Sequence, residues 1–337
     1  MKRLAIFAGY DKDNIIDDYV VYYIKELKKI ADIIYIADCD MLENELTKIS
    51  EYCIYLINGR HGEYDFGSYK RGYLYAKENN ILQNYDYLIL CNDSCYGPFF
   101  NFQEIVQNME NKNTDVWGMF NCFKDKENDE HLQSYFLSLK PKVYLSEYFY
   151  NFISNIKKEN DKWEVVKKYE IGLGNLLKKE NVSVASFLDS NIKENEADNN
   201  NVPFFNTTQA IKCGFPFFKI TVFKELVFCK LYIHDLKTIF NLIESTYNIN
   251  LIVNHLNRII ENKEIIKYLF PRFKIRTISV FSKKFINISC QYSVSGKFQI
   301  AFIFFNKLKI TIDFPKSVSY IDYKYKDFNF LLKKEHI

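Results

Sequence analysis

Three short polar segments of this 337-residue chain contain residues that could bind or transform a substrate. The first spans residues 60–70, between an apolar run and a helix. Arg60 and Lys70 could each bind phosphate oxygens, and a helix that begins near Gly67 would favour an anion at the same place. Asp65 could accept hydrogen bonds from a ribose or sugar hydroxyl. The alternative is that Asp65 only caps the helix.

The second segment follows the next buried strand and reads Asn92-Asp93-Ser94. A carboxylate at the end of such a strand could bind a divalent cation that bridges a nucleotide diphosphate. Asn and Asp are also frequent in turns, because their short side chains form hydrogen bonds with nearby backbone groups. The segment is therefore either part of a nucleotide site or a plain turn.

The third segment, residues 168–177, places Glu170 ahead of an apolar stripe at helical spacing, formed by Leu173, Leu176 and Leu177. The helix dipole stabilises a carboxylate at such an N-terminus, which alone would account for Glu170. A positioned carboxylate could instead remove a proton from a hydroxyl as a general base. The chain contains no P-loop, GxGxxG, nucleophile elbow or HExxH motif, so those enzyme classes have no support.

Apolar runs alternate with amphipathic stretches in the first half of the chain, which predicts a βαβ arrangement. We expect strands at residues 4–8, 33–37, 52–57, 87–91 and 116–120, and helices at residues 15–30, 41–50, 67–80 and 102–110. Ligands of an open parallel sheet bind at the carboxyl ends of its strands. That edge would bring together residues 9–11, 58–60 and 92–94.

The pattern changes from residue 131 onwards. We expect a strand at residues 131–139, helices at 147–158 and 162–179, a mobile polar loop at 191–201 and antiparallel strands within 272–325. These expectations divide the chain into an α/β domain, residues 1–236, and a smaller α+β region, residues 237–337.

Charge is distributed unevenly along the chain. Residues 263–337 contain 15 Lys and Arg against 5 Asp and Glu, a net charge of +10, whereas the whole chain has +3. The first 262 residues therefore have a net charge of −7. A basic segment of this kind favours an anionic partner, such as nucleic acid, a phospholipid surface or a diphosphate-bearing lipid. The alternative is a solvated strand face.

The eight cysteines are scattered, mostly within apolar runs, which is typical of reduced core residues in an intracellular protein. Only Cys91 and Cys95 are closely spaced, so we expect no metal site built on cysteine. No segment has the roughly 18 uninterrupted apolar residues of a membrane span. We expect a cytoplasmic protein with at most peripheral membrane contact.

Taken in order, seven segments resemble the rhamnan synthesis protein F family, a bacterial glycosyltransferase group that builds rhamnose-containing and related surface polysaccharides. They are residues 10–20, 64–70, 90–98, 115–118, 131–136, 168–173 and 214–219. The resemblance covers roughly residues 1–225. It implies an α/β fold with a Rossmann-like GT-A sheet that binds a nucleotide sugar, and the β-rich C-terminal extension lies outside it.

The resemblance also implies roles on the donor side. In that fold an Asp-x-Asp motif holds a metal on the diphosphate, whereas this chain has a single carboxylate, Asp93, at the equivalent place. Asp93 would bind Mn²⁺ or Mg²⁺, or else Arg60 or Lys70 would neutralise the leaving diphosphate instead. The residues expected to bind the donor are Tyr10, Arg60, Asp65, Lys70, Asn92, Asp93 and Ser94.

On the acceptor side, the resemblance implies Glu170 as the general base, because an acidic residue precedes a Leu-containing helix in inverting members of the fold. His131 and Gln133 would line the acceptor. Trp117 would stack on a sugar face, or would belong to the core.

The expected function is that of an inverting glycosyltransferase for capsule, lipopolysaccharide or another surface polysaccharide. The donor favoured is dTDP-rhamnose, with UDP- or GDP-sugars as alternatives. The acceptor would be an oligosaccharide or a polyprenyl-diphosphate-linked chain, with the basic C-terminal region near the inner face of the membrane. A non-catalytic nucleotide- or sugar-binding subunit is the alternative, because the second carboxylate is missing. Nucleic acid is not an expected partner, since the first 262 residues are acidic and contain no recognisable nucleic-acid module.

Overall fold

The computed structural model describes residues 1–122, 130–189, 202–224, 233–260, 286–292, 298–304 and 308–314. The chain divides into two compact units. The first comprises Met1–Leu231 and Thr246–His255, and the second comprises Tyr232–Ser245 and Leu256–Ile337. All the site residues expected from the sequence belong to the first unit. The domain division expected after residue 236 stays a prediction.

Strands and helices alternate through the first 122 residues. They are β1 (Arg3–Gly9), α1 (Asp18–Lys28), β2 (Asp32–Ala37), α2 (Glu43–Ser50), β3 (Tyr55–Asn58), α3 (Tyr64–Glu78), β4 (Tyr87–Asn92), β5 (Cys95–Tyr96), α4 (Phe102–Glu110) and β6 (Val116–Cys122). Helix α3 begins at Tyr64 and not near Gly67 as predicted. Gly67 lies inside the helix, where an added Cβ would be 2.2 Å from Glu63 Cβ.

Short elements predominate in the rest of the first unit. They are β7 (His131–Leu132), β8 (Phe136–Leu139), α5 (Pro141–Tyr144), α6 (Glu147–Ser154), α7 (Lys162–Val165), α8 (Ile171–Lys179), β9 (Val184–Asp189), α9 (Val202–Phe205), α10 (Thr207–Lys212), β10 (Phe218–Lys219) and α11 (Ile220–Lys224). The strand predicted at 131–139 is broken by a turn at residues 133–135. The helix predicted at 162–179 consists of α7, one π-helical turn (Val166–Glu170) and α8.

The sheet of the first unit has the order β3-β2-β1-β4-β8-β6-β7, and β9 pairs with β6. Strands β1 to β4 are parallel, β8 runs antiparallel between β4 and β6, and β9 is parallel to β6. The predicted α/β class with a Rossmann-like, mainly parallel sheet is therefore confirmed.

Helix α3 packs closely on this sheet and fixes one side of its carboxyl edge. A Cβ added to Gly72 would lie 2.5 Å from Ile6 Cγ2, so the glycine permits the close approach of helix and strand. The buried Tyr69 hydroxyl donates to the Ser134 carbonyl over 2.9 Å. Tyr73 donates likewise to the Tyr144 carbonyl over 2.7 Å. These long-range bonds hold α3 in a defined position beside the turn at residues 133–135.

The C-terminal elements are α12 (Ile233–Ile243), α13 (Asn250–Ile259), β11 (Ile286–Tyr292), β12 (Phe298–Phe304) and β13 (Leu308–Phe314). The three strands form an antiparallel sheet in which Ile300 pairs with Cys290 on one side and Ile312 on the other. The predicted β-rich extension is thus confirmed for these strands. The polar run 191–201 and most of the basic segment 263–337 lie outside the described residues. In the part of the chain that is described, no helix is long and apolar enough to cross a membrane.

Candidate active site

The carboxyl ends of strands β1 to β4 meet at one edge of the sheet. Ala8 pairs with Asn92, and Ala37 pairs with both Gly9 and Asn58. Because β8 runs in the opposite direction, the turn that precedes it lies at this same edge, and the Asn92 N–H donates to the Tyr135 carbonyl over 3.3 Å. The edge is the one the sequence predicts, with residues 133–135 added to it.

Asn92 and Asp65 are in direct contact at this edge. Asn92 Nδ2 donates to Asp65 Oδ2 over 3.0 Å, and Phe66 N–H donates to Asp65 Oδ1 over 3.0 Å. The Ser134 hydroxyl lies 3.5 Å from Asp65 Oδ2. Burial raises the pKa of the Asp65 carboxyl, and the negative charge of Glu170 raises it further. The N-cap of α3 is Glu63, and Asp65, in the first turn, instead connects two of the three polar segments.

Glu170 occupies the junction between the π-helical turn and α8. The Ser134 N–H donates to Glu170 Oε1 over 2.5 Å, which sets the orientation of the carboxylate. Glu170 Oε2 lies 4.0 Å from His131 Nε2, a separation that one water molecule or hydroxyl group can bridge. The Glu170 side chain remains 15% exposed, so a substrate hydroxyl could reach it. A carboxylate that is oriented and partly exposed in this way could act as a general base.

Gly174 allows α8 to approach the segment that carries His131. A Cβ added to Gly174 would lie 2.8 Å from the Glu130 carbonyl oxygen and 2.9 Å from His131 Cβ. At Gly172, one helical half-turn earlier, an added Cβ would have no neighbour closer than 3.9 Å. The close approach of α8 that brings Glu170 near His131 therefore requires a glycine at position 174 but not at position 172.

Asp93 lies beside the end of β1, where the Tyr10 N–H donates to its Oδ2 over 2.7 Å. Burial raises the pKa of the Asp93 carboxyl to about 7. The Ser94 N–H and hydroxyl both donate to Asn92 Oδ1, over 3.1 and 2.6 Å. Asn92 therefore forms the turn that its residue type predicts and also contacts Asp65, so the two interpretations of this segment do not exclude each other. The Tyr10 side chain is 54% exposed at the same edge.

The loop that carries Asp93 is supported by buried residues that the sequence analysis missed. The Tyr19 hydroxyl donates to the Asp93 carbonyl over 2.9 Å. Tyr96 Oη lies 2.6 Å from His255 Nδ1, and His255 Nε2 lies 3.7 Å from Asp17 Oδ2. His255 is 159 residues from Tyr96 in the sequence, and no local pattern signals the contact.

Asp93 is the carboxylate at this edge that could hold a divalent cation. Among the described residues, no three His, Cys, Asp or Glu side chains lie close enough together to hold a metal ion. Mg²⁺ in nucleotide enzymes is commonly bound by one or two carboxylates together with substrate phosphates and water. Asp93 fits that pattern as a single protein ligand.

The two cations expected to meet phosphate, Arg60 and Lys70, are engaged within the protein. Lys70 Nζ donates to the Ile156 carbonyl over 2.6 Å and forms an ion pair of 2.7 Å with Glu63. Arg60 Nε lies 3.7 Å from Asp40 Oδ2, with its side chain 48% exposed. Lys70 would have to give up two strong contacts to bind a ligand, whereas Arg60 would give up a weak surface pair.

His61 holds the loop between Arg60 and α3, a role that was not expected. The buried Asp38 carboxylate accepts hydrogen bonds from the N–H groups of His61 and Gly62, both 2.7 Å. Glu63 N–H donates to His61 Nδ1 over 3.1 Å, which assigns the proton to Nε2, 3.0 Å from the Ser68 hydroxyl. Burial lowers the pKa of His61 to about 4. The imidazole is therefore neutral at physiological pH.

All three residues expected at the acceptor are buried. Trp117 is 1% exposed, and its ring centroid lies 5.3 Å from that of Phe136. Trp117 is therefore a core residue, the second of the two roles considered for it, and has no exposed face on which a sugar could stack. Gln133 is 5% exposed, and its Oε1 has no hydrogen-bond partner within the described part of the chain. His131 is also buried and lies against Glu170.

Comparison with solved structures finds similarity to yeast and fungal mannosyltransferases. Ktr4p from S. cerevisiae, solved in complex with GDP, is 7% identical with a TM-score of 0.31, over 44% of this chain and 59% of that one. Core-mannan synthase A from Aspergillus fumigatus, solved in a Mn/GDP form, is 10% identical with a TM-score of 0.30, over 47% of this chain and 66% of that one.

Among curated sequences, the chain is 28% identical over 171 residues to the uncharacterized protein y4gN of Sinorhizobium fredii. That match covers 50% of this chain and spans less than half, 44%, of the relative's length. The family described as rhamnan synthesis protein F matches residues 33–304, which include the ends of β2, β3 and β4 and the contacts of Glu170 with Ser134 and His131. The resemblance seen in the sequence is confirmed, and the chain belongs to the rhamnan synthesis protein F family.

Proposed function

We propose that the chain is an inverting glycosyltransferase that moves rhamnose or a related sugar from a nucleoside diphosphate to a hydroxyl of a growing bacterial surface polysaccharide. The observation that carries the proposal is the Glu170 carboxylate, oriented by the Ser134 N–H over 2.5 Å and partly open to solvent. It lies at the same edge of the sheet as Asp93.

The reaction is a single displacement. Glu170 takes the proton from the acceptor hydroxyl while that oxygen forms a bond to the anomeric carbon of the donor sugar. The bond between the anomeric carbon and the phosphate oxygen breaks, and its electron pair stays on the leaving nucleoside diphosphate. The anomeric configuration is therefore inverted, and Glu170 later passes its proton to water.

The donor would bind across the ends of β1 and β4. Asp93 and Tyr10 lie together there, and the Asp65 carboxylate is positioned to accept a hydrogen bond from a sugar or ribose hydroxyl. A Mn²⁺ or Mg²⁺ ion held by Asp93 and the donor phosphates would supply positive charge for the leaving group. The dTDP-rhamnose donor and UDP- or GDP-sugars all present the same diphosphate to this edge.

The acceptor would approach from the side of His131 and Gln133. Gln133 Oε1 is buried and has no hydrogen-bond partner among the described residues, so a sugar hydroxyl that reached it would satisfy it. The acceptor would be linked to polyprenyl diphosphate at the inner face of the plasma membrane. The basic segment 263–337 would lie near it. Most of that segment lies outside the described residues.

One observation favours a second candidate, a non-catalytic nucleotide- or sugar-binding subunit. Asn92, at the place of a carboxylate in the Asp-x-Asp motif, uses its amide to contact Asp65 and Ser94. A subunit of this kind would bind the donor and release no product.

The test combines binding with turnover on the full chain. Thermal shift would be measured with dTDP-, UDP- and GDP-sugars and their diphosphates, each with Mn²⁺, Mg²⁺ or EDTA. A ligand present at a hundredfold its Kd adds about 2.7 kcal/mol of apparent stability, which is readily seen. Release of nucleoside diphosphate and the NMR anomeric configuration of the product would then be followed. Inversion supports the proposal, whereas binding without turnover on any acceptor favours the subunit, and the absence of binding contradicts both.

A further inference from the structure

Lys219 is joined to the loop of Asp93 through the backbone. Strand β10 (Phe218–Lys219) pairs antiparallel with β5 (Cys95–Tyr96), and Lys219 lies directly opposite Cys95. The next residue, Ile220, donates its N–H to the Ser94 carbonyl over 3.0 Å. Since paired residues on adjacent strands place their side chains on the same face, Lys219 and Cys95 share a face of this small sheet.

The Lys219 ammonium has no carboxylate partner in the described part of the chain. Its Nζ lies 4.9 Å from the centroid of the Tyr135 ring, a cation–π contact, and the residue is partly exposed. Lys70, by contrast, is held by a carboxylate and a carbonyl, and Arg60 lies beside Asp40. Of the three cations, Lys219 is the one that need not break an ion pair to bind an anion.

The charges of Lys219 and Asp93 both act on the thiol of Cys95, which lies opposite Lys219 in the strand pairing. Burial raises the pKa of the Cys95 thiol to about 11, the positive charge of Lys219 opposes that rise, and the negative charge of Asp93 adds to it. Both charges therefore act on one buried thiol. On the other side, burial raises the pKa of Tyr135, and the Glu170 charge raises it further. The Tyr135 ring that the ammonium contacts belongs to the turn at residues 133–135. The Tyr135 carbonyl accepts from the Asn92 N–H, and the Ser134 N–H donates to Glu170.

We propose that Lys219 binds the diphosphate of the donor and neutralises the charge that develops on it as the glycosidic bond breaks. The inference rests on the proposed function. It assigns to Lys219 the role for which the sequence suggests Arg60 or Lys70. Phosphate offers the ammonium a stronger contact than an aromatic face does, so ligand binding would draw Nζ away from Tyr135.

The experiment compares Lys219→Met with Lys219→Arg, and uses Lys212→Met as the matched control. Lys212 is an exposed lysine at the end of α10 in the same part of the chain. Calorimetric titration would measure the Kd of each variant for dTDP, UDP and GDP. The Kd for the parent nucleosides thymidine, uridine and guanosine would be measured for comparison. Turnover would be followed with the donor identified by the panel.

If Lys219 binds the diphosphate, Lys219→Met weakens the binding of the nucleoside diphosphate about tenfold and leaves the affinity for the nucleoside unchanged. It also lowers kcat by about a hundredfold, as removal of one transition-state charge contact does. Lys219→Arg should retain most of the affinity and of kcat, and Lys212→Met should match the wild type.

Three outcomes would overturn the inference. If the wild type and Lys219→Met bind the diphosphate with equal affinity, the inference about Lys219 is wrong, while the proposed function still stands. Equal losses for nucleoside and diphosphate show a purely structural role. Absence of nucleotide binding by the wild type removes both the inference and the proposed function.

Discussion

The Asn92 side-chain amide donates to the Asp65 carboxylate over 3.0 Å, across 27 residues of sequence. Through Asp65, the polar network continues to Ser134, whose N–H holds Glu170. The residues that resemble a donor site and the residue that resembles a general base thus belong to one hydrogen-bonded chain, in which Ser134 contributes both its hydroxyl and its backbone N–H. A change at one end of this chain is expected to be felt at the other.

Replacement of Asn92 by Asp restores the second carboxylate of the metal-binding motif, yet we expect it to destabilise the protein. The amide donor to Asp65 is lost and two carboxylates face each other, which should lower the free energy of unfolding by about 1–3 kcal/mol near neutral pH. The double variant Asn92→Asp with Asp65→Asn exchanges amide and carboxylate, and should recover most of that loss. Urea denaturation measures the free energy of unfolding of the single and the double variant. A double variant no more stable than Asn92→Asp would contradict the contact between residues 92 and 65.

Glu170→Gln keeps the size of the side chain but removes the base. We expect kcat to fall by about 10²–10⁴-fold, with donor affinity unchanged, because general-base catalysis has that typical value. The matched control is Glu164→Gln, six residues earlier, where an exposed ion pair with Lys168 contributes little. Single-turnover rates and donor titrations separate the two effects. Full activity in Glu170→Gln would assign the proton transfer to another group.

Gly174→Ala and Gly172→Ala make a matched pair on one helix. The Gly174 substitution places a methyl group 2.8 Å from the Glu130 carbonyl oxygen, so α8 must shift, at a cost of about 1–3 kcal/mol. The Gly172 substitution meets nothing closer than 3.9 Å and should leave the protein equally stable, or more stable by up to about 1 kcal/mol. Thermal unfolding checks the order. Activity should fall only in Gly174→Ala, because the shift separates Glu170 from His131, and equal behaviour of the pair would contradict the packing.

His61 predicts a pH dependence of stability. Its folded-state pKa is about 4, below the value of about 6.5 in an unfolded chain, because burial disfavours the charged ring. As the pH falls from about 6.5 to 4, the unfolded state binds a proton that the folded state does not, so stability declines, by up to about 3 kcal/mol. His61→Gln keeps a donor for Ser68 without the titration, and should flatten this part of the stability curve. Chemical denaturation of both proteins across pH 4–8 tests it, and identical curves would show that His61 does not contribute.

The sequence alone was sufficient for strands β1 to β4 and for the edge at which their carboxyl ends meet, whereas it did not predict β9. Strands buried on both faces read as continuous apolar runs, and polar residues follow them where the chain turns, so local pattern predicts both the strands and their carboxyl ends. Asn92 and Asp93 were found in this way. Asp65 was found from its place between an apolar run and a helix, and Glu170 from its place ahead of an apolar helical stripe. The break at residues 133–135 was missed, because the apolar pattern of residues 131–139 is continuous through the turn.

Only the tertiary structure decided which of these groups meet and which are free. Whether a cation faces a substrate or an internal carboxylate depends on distant elements that pack beside it, and such contacts leave no local period in the sequence. Lys70 is occupied by Glu63 and Ile156, whereas Lys219 reaches the Asp93 loop through a two-residue strand pairing. The same reason explains why Trp117 is in the core and why His255 supports Tyr96 from 159 residues away. Residue type defines the chemistry a side chain can do, and packing of the whole chain determines where it does it.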